Sequence, residues 1–338
     1  MHSDSPNLIA DIGGTNARFA LVDSPKGTPY KSMTLRCADY PRLVDATLAY
    51  LNGISAPPVR HAAISIATSV ASDQLQITNL GWTFSIRQAR QALKLTSLKM
   101  LNDYTALALA LPQLTDGEYQ QFGGQQSRDG DAMAVIGPGT GLGVSGITRV
   151  GNRWSPLQGE GGHVSYGPLN SREADVIEIV RRQFEHVSVE RLVCGPGLAL
   201  LYQSIATLDG LKIEAATPKD ITEMAMGKSS GIAEEAVDMF CAILGSVAGN
   251  LALTLGARAG VFIGGGIVPQ LGKHFVQSSF RSRFEKHGRF TQYLEKIPTY
   301  IIQSKYPALL GAATALASDY ANLGVTSTEG SEGSQSFN

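Results

Sequence analysis

Cysteine is scarce. Cys37, Cys194 and Cys241 are the three in 338 residues. An odd number of widely scattered thiols gives neither a disulfide framework nor a metal-ligand spacing, and suits a reducing cytoplasm. An excess of one charge is also missing: 28 Lys and Arg stand against 29 Asp and Glu, for a formal net charge of -1. Such a balance argues against a nucleic-acid partner and against an anionic membrane surface. The first residues, Met1 to Pro6, are short and polar, without the basic start or apolar core of a signal peptide. The longest apolar run, Ala236 to Leu255, is interrupted by Asp238 and Asn250. Too few clean residues remain for a membrane span of about 20, so a buried helix is expected, with Gly245 and Gly249 admitting a close neighbour.

What the chain does have is apolar material and glycine. Hydrophobic residues make up 43% and charged residues 17%, enough for two substantial cores at this length. The 37 glycines exceed the usual share of about 7%, and they gather in a few clusters instead of forming linkers. Leu8-Ile9-Ala10-Asp11-Ile12 reads as a strand holding one carboxylate. Gly13-Gly14-Thr15 makes a turn, and Ala17 to Val22 a second strand. Backbone N–H groups in such a turn can approach a phosphate, because glycine lacks the side chain that would block it. Asp11 could hold a hydrated Mg²⁺ beside that phosphate. The same pattern returns at Met133-Ala134-Val135-Ile136, Gly137-Pro138-Gly139-Thr140-Gly141 and Leu142 to Ile147. Two such hairpins, each opening an α/β domain, suggest a duplicated architecture with a nucleotide in the cleft between the halves.

Further features follow in chain order. Residues 41 to 52 and Ile86 to Leu93 read as helices, and Ala62 to Ala67 and Leu75 to Thr78 as strands. Leu98 to Leu101 delivers Asn102 and Asp103 to the start of an Ala/Leu helix that runs to Pro112. A carboxylate at the end of a strand sits where α/β folds keep their ligands, and Asp103 can accept a proton from a substrate hydroxyl. The competing reading is that both residues cap the helix. The polar stretch from Gly117 to Asp131 reads as an insertion or crossing. Gly159-Glu160-Gly161-Gly162-His163 has too few ligands for a metal, which leaves an exposed loop or recognition of a neutral polyol. Glu190 falls in the first turn of a helix, where it can offset the dipole. Gly264-Gly265-Gly266 follows the strand Val261 to Ile263 and is flat enough for an adenine and its ribose. Pro269 suits a helix start, and Ala308 to Leu316 a final helix. Two familiar patterns are rejected. Gly141, Gly143 and Gly146 have dinucleotide-fingerprint spacing but lead into a strand, and Gly227-Lys228-Ser229 lacks the first glycine of a phosphate loop, with Thr222 in its place.

Taken together, and in this order from about Leu8 to Leu316, these stretches resemble the bacterial glucokinase family. The segment Ile9 to Arg18 looks like its first phosphate motif and Gly137 to Gly143 like its second. Leu101-Asn102-Asp103 matches its catalytic segment, Glu160, His163 and Glu190 its sugar-binding positions, and Gly264 to Gly266 its adenosine motif. The cysteine-rich zinc motif of the related repressor and sugar-kinase group is not in this sequence. The resemblance implies an α/β, actin-like ATPase fold of duplicated ribonuclease H-like domains around a central cleft. Residues 1–112 with 304–322 would form a small domain and 113–303 a large one, with 323–338 a tail unable to bury a core. It further implies transfer of phosphate from MgATP to the 6-hydroxyl of glucose in a cytoplasmic homodimer, with closure of the domains on the sugar. Asp103 would be the base, and Asn102 would hold neighbouring ring hydroxyls. Glu160, His163 and Glu190 would hold the far side of the ring. Asp11 would orient Mg²⁺, directly or through water. Gly13, Gly14, Thr15 and Asn16, with Gly137, Gly139, Thr140 and Gly141, would hold the phosphates.

One departure stands out. Where the family usually carries Pro and Gly before an Asp, this chain has Ser69 and Ser72 before Asp73. That loop lies at the sugar end in the family, so another hexose or an amino sugar is the nearest alternative substrate. A non-catalytic sugar sensor is the alternative from a different class. It predicts a damaged base or a DNA-binding segment, and Asp103 is intact.

Overall fold

The computed structural model describes residues 5–77, 80–125, 127, 130–317 and 326–327. The described part falls into two compact units, one within Met1–Leu114 and Lys305–Asn338 and the other spanning Thr115–Ser304.

In the first unit, β1 (Asn7–Ile12) and β2 (Asn16–Val22) form an antiparallel hairpin, extended by β3 (Tyr30–Arg36). β4 (His61–Ile66) lies parallel to β1, and β7 (Ser97–Asn102) parallel to β4. β5 (Gln74–Ile77) and β6 (Trp82–Ser85) make a separate hairpin. The central strands are apolar throughout because both of their faces are covered: Leu8, Ile9, Ala10, Ile64 and Met100 are fully buried. On one face lie the helices Leu43–Gly53 and Ile86–Ala92. The helix Asp103–Ala110 packs against the closing helix Pro307–Ala315. Their approach is close enough that a Cβ at Gly311 would run into the Ala106 carbonyl.

Thr326–Ser327 pairs antiparallel with Leu98 and Lys99 at the sheet edge. These two residues fall in the stretch read as a tail unable to bury a core, and an open strand edge can recruit any backbone with a free ladder of N–H and C=O groups. The rest of 323–338 lies outside the described residues. So does Thr78, the last residue of the strand expected from Leu75.

The second unit holds a six-stranded sheet in the order β11-β10-β9-β12-β13-β8. These strands are β8 (Tyr119–Gly123), β9 (Met133–Pro138), β10 (Leu142–Val150), β11 (Arg153–Leu157), β12 (Gly260–Ile263) and β13 (Thr299–Ile302). β8 places a strand, Tyr119–Gly123, in the stretch 117–131 read as an insertion or crossing. As an edge strand paired with β13 it needs little apolar character, so its polar sequence concealed it. The helix Gly231–Leu255 is long and apolar enough to cross a membrane, yet 78% of its most apolar window is buried inside the unit. Gly245 and Gly249 let the helix Phe280–Glu285 lie directly on it, because a Cβ at either would collide with backbone of that segment.

Candidate active site

Asp11 sits in β1 between two cross-strand partners that the register dictates. Arg18 faces it from β2 and Ser65 from β4. The Ser65 hydroxyl donates to Oδ1 at 3.0 Å, and the Arg18 guanidinium to Oδ2 at 3.3 Å. Burial raises the Asp11 carboxyl above its ordinary value, although both partners pull it down. The turn beyond it is tight. Gly13 N–H donates to Asn16 C=O at 3.0 Å, which leaves Gly14 and Thr15 as an exposed two-residue tip. The end of β3 fastens that turn, with Cys37 N–H donating to Thr15 C=O at 2.9 Å and the Cys37 thiol to Gly13 C=O at 3.6 Å.

Asn102 and Asp103 lie at the junction of β7 and its helix, and both accept N–H groups of the first helical turn. The Asn102 side-chain carbonyl accepts from the N–H groups of Tyr104 and Thr105, at 2.9 and 3.2 Å. Both of its lone pairs are thereby used, so Asn102 can offer a ligand only N–H. One of those hydrogens meets Thr68 C=O at 3.4 Å, tying the loop that carries Ser69 to the site strand. Asp103, half-buried, is the first helical residue, and its Oδ1 accepts from Tyr104 N–H at 2.9 Å. Asp73, at the far end of the loop, caps the helix Ile86–Ala92 through Ser85 and the Arg87 N–H.

In the second unit the hairpin of β9 and β10 turns through Gly139, Thr140 and Gly141, closed by Gly139 N–H to Gly141 C=O at 2.8 Å. None of these residues has a positive φ. Their glycines serve approach: the space above Gly139 is open, whereas a Cβ at Gly141 would press on the Glu190 carboxylate. Glu190 lies in the short helix Val189–Leu192, capped by Ser188. Its Oε2 accepts the Leu142 N–H at 2.8 Å, and its Oε1 lies 4.0 Å from His163 Nδ1. The chain zips these segments together, since Val189 N–H donates to Val164 C=O at 2.9 Å and Ser165 bridges Ser188. His163 N–H donates to Glu160 C=O at 3.0 Å, and both side chains are exposed. Gly162 is fixed by packing, as a Cβ there would run into the Leu142 carbonyl.

The third glycine cluster belongs to the same end of this sheet. β12 pairs Ile263 with Ile136, and Gly264 N–H donates to Ile136 C=O at 2.9 Å. Gly265 has φ +78°, and a Cβ on it would strike the Pro138 carbonyl, so only glycine lets this turn lie on the β9–β10 hairpin. Gly266 opens the helix Ile267–Leu271.

Sequence reading missed three supporting groups. Ser65 and Arg18 hold Asp11, and Gly195 N–H donates to Gly139 C=O at 2.8 Å, docking the helix Gly195–Leu208 on the hairpin. A polar residue inside the apolar run of β4 was the available signal for Ser65. Beside Thr140 and Glu190 opens a cavity of about 370 Å³, walled by Arg191, Cys194 and Leu200. Among the described residues no cluster of three or more metal-ligating side chains occurs.

The two α/β units, each opening on a glycine-rich hairpin, are those of a sugar kinase of the actin-like ATPase fold. The glucokinase family model matches residues 8–319, and the chain belongs to that family. It is 52% identical to a glucokinase of Aromatoleum aromaticum, over 96% of this chain and 97% of that one. It is 48% identical to a bifunctional protein glk of Burkholderia pseudomallei, covering 95% of this chain but half of that longer protein. Among solved structures, a glucokinase from an Antarctic psychrotroph is similar with a TM-score of 0.84 and 34% identity, over 92% of this chain and 98% of that one.

Proposed function

We propose that this chain transfers the γ-phosphoryl group of ATP to the 6-hydroxyl of glucose, giving glucose 6-phosphate and ADP. The observation that carries the reading is the continuous family match over residues 8–319, which includes every candidate residue named above. Catalytic kinase activity follows from that membership.

The roles of the residues are part of the proposal. Asp103 accepts the proton as the sugar oxygen attacks phosphorus and the bond to the bridging oxygen of ADP breaks. Asn102 donates from Nδ2 to a ring hydroxyl, since its carbonyl is committed to the cap. Glu190, His163 and Glu160 take the remaining hydroxyls. The exposed tip at Gly14 and Thr15 and the hairpin Gly139 to Gly141 donate backbone N–H groups to the phosphates, with Gly137, Asn16 and the Thr140 hydroxyl beside them. Gly264 to Gly266 carry the adenosine. Phosphoryl transfer asks mainly for positioning and charge stabilisation, which these fixed turns supply.

Mg²⁺, when bound with ATP, neutralises charge on the β- and γ-phosphates. The donor set fits an ion held mostly by phosphate and water: Asp11 is a single carboxylate already engaged by Ser65 and Arg18, and it is suited to orient a metal-bound water.

The two sheets share one order and one set of strand directions: hairpin of three, then two parallel strands, then an antiparallel edge. This supports duplicated ribonuclease H-like units divided close to 1–112 with 304–322, and 113–303. A cytoplasmic homodimer completes the proposal.

The test is ADP release with MgATP across a panel of hexoses, for the native chain and Asp103→Asn. Glucose-dependent turnover that disappears in the variant while glucose still binds supports the reading. Glucose binding without turnover in the native chain overturns it in favour of a sensor, and turnover only with another hexose moves the specificity to the Ser69 and Ser72 loop.

A further inference from the structure

At the opposite end of β12 from the glycine cluster, the second unit carries a cavity of about 480 Å³ that none of the roles above uses. Gly264 follows β12, whereas Arg258 precedes it and Lys296 precedes β13. Four residues of strand separate the two ends by roughly 10–13 Å. The cavity is lined by Arg258, Arg289 and Lys296, by the rings of Phe290 and Tyr293, and by carboxamides including Gln125. No carboxylate lines it among the described residues.

The walls are built, not incidental. Arg281 donates to the carbonyls of Ile297, Glu295 and Leu294 at 2.8, 3.0 and 3.2 Å, and to Glu285 at 2.6 Å. It therefore fixes the turn that carries Lys296. Gln125 N–H donates to Lys296 C=O at 3.2 Å. Gly124, at φ +79°, lies so near Ile297 that a Cβ would strike the carbonyl of that residue. Arg258 is held by Asp131 at 2.8 Å, and Arg289 lies over the Phe290 ring, 5.6 Å from its centroid. Phe290 is 46% exposed and meets Tyr293 edge-on. No ion pair to Arg289 or Lys296 is found among the described residues.

We infer that this cavity binds a nucleotide at a site separate from the catalytic end. Arg289 and Lys296, with the Asp131-paired Arg258 beside them, suit a phosphate, an exposed aromatic ring suits a stacked base, and a carboxamide can pair with a base edge. The volume lies in the range of small-molecule sites. A bare phosphate would use the cations but have no need of the rings. The inference is independent of the kinase reading, because it uses none of the same residues.

AMP binding by calorimetry, with 8-azido-AMP labelling to locate the site, tests it. The label is expected on the peptide that carries Phe290 and Tyr293. Arg289→Glu and Lys296→Glu, both at exposed positions, should each weaken AMP at this site about tenfold or more, with kcat and the KM for glucose unchanged. Phe290→Ala should weaken AMP but not inorganic phosphate. Label confined to peptides around Gly137–Gly141 or Gly264–Gly266 overturns the site. Equal competition by inorganic phosphate, with Phe290→Ala silent, overturns the nucleotide in favour of a simple anion.

Discussion

The Glu190 carboxylate accepts the backbone N–H of Leu142 at 2.8 Å, so the side chain proposed to hold sugar also braces the turn proposed to hold phosphate. Removing it should therefore affect both substrates. Glu190→Ala is expected to raise the KM for glucose and the KM for ATP, each by about tenfold or more, since a hydrogen bond to a charged group is lost. Glu190→Gln keeps an acceptor for Leu142 and should raise chiefly the KM for glucose. Steady-state kinetics with each substrate varied in turn decides. An unchanged KM for ATP in the Ala variant would remove the bracing role.

Asp103→Asn should lower kcat by about 10²–10⁴-fold, the usual contribution of a general base. Glucose affinity should change only a few-fold, because the first helical turn and the Asn102 cap remain. Calorimetry for binding and ADP release for turnover separate the two effects. A proportional loss of binding and turnover would make Asp103 a binding group only.

Asp11 carries a pH signature. Burial lifts its carboxyl above the ordinary value, against the pull of Ser65 and Arg18. A raised carboxyl favours the protonated fold, so its contribution is present below the unfolded value near 3.8 and is lost as pH rises through the folded value. Asp11→Asn should accordingly melt higher than the native chain at pH 7, with the advantage shrinking toward acid, while its turnover with MgATP falls. Thermal melts across pH 4 to 8 check the sign, and a lower Tm at pH 7 would count against it.

Glu173 shows the opposite behaviour. Burial pushes its carboxyl up, but Arg283, the Leu169 N–H and the Tyr166 hydroxyl together hold it below the ordinary value. Stability from this group is present above about 4.5 and is lost as pH falls through the folded value. Glu173 is 2% exposed and Arg283 caps it from the facing helix. Glu173→Ala leaves that guanidinium with only the Ser246 and Tyr166 hydroxyls and no counter-charge, and should cost about 3–5 kcal/mol, read by urea unfolding at pH 7. The segment from Tyr166 to Asn170 hangs on this carboxylate, so His163 should lose order as well.

Gly311→Ala drives a methyl into the Ala106 carbonyl and should cost about 1–3 kcal/mol by overpacking. Because Ala106 shares a helix with Asp103, kcat should fall along with Tm. A variant as stable as the native chain would show that the two helices can separate without cost.

Much of this was legible in the linear sequence. Glycine clusters behind apolar strands located the turns Gly13–Thr15, Gly137–Gly141 and Gly264–Gly266, because a tight turn leaves a compositional mark that needs no partner. Strand-end Asn102 and Asp103 were visible for the same local reason, and the buried fate of Gly231–Leu255 followed from its interrupting polar residues. Distance in sequence hid the rest. β8 was concealed because an edge strand needs a neighbour, β13, to become a strand at all. That the Asn102 carbonyl is fully committed to the cap, with two helical N–H groups on it, depended on where those N–H groups point. Only the tertiary structure set Ser65 and Arg18 on Asp11, through registers between strands 7 to 54 residues apart. Only it brought Glu190 onto Leu142 across 48 residues. Residue types and local spacing fix what chemistry a segment can offer; the pairing of strands and the docking of helices decide which of those groups meet, since such contacts are paid for by burial far along the chain.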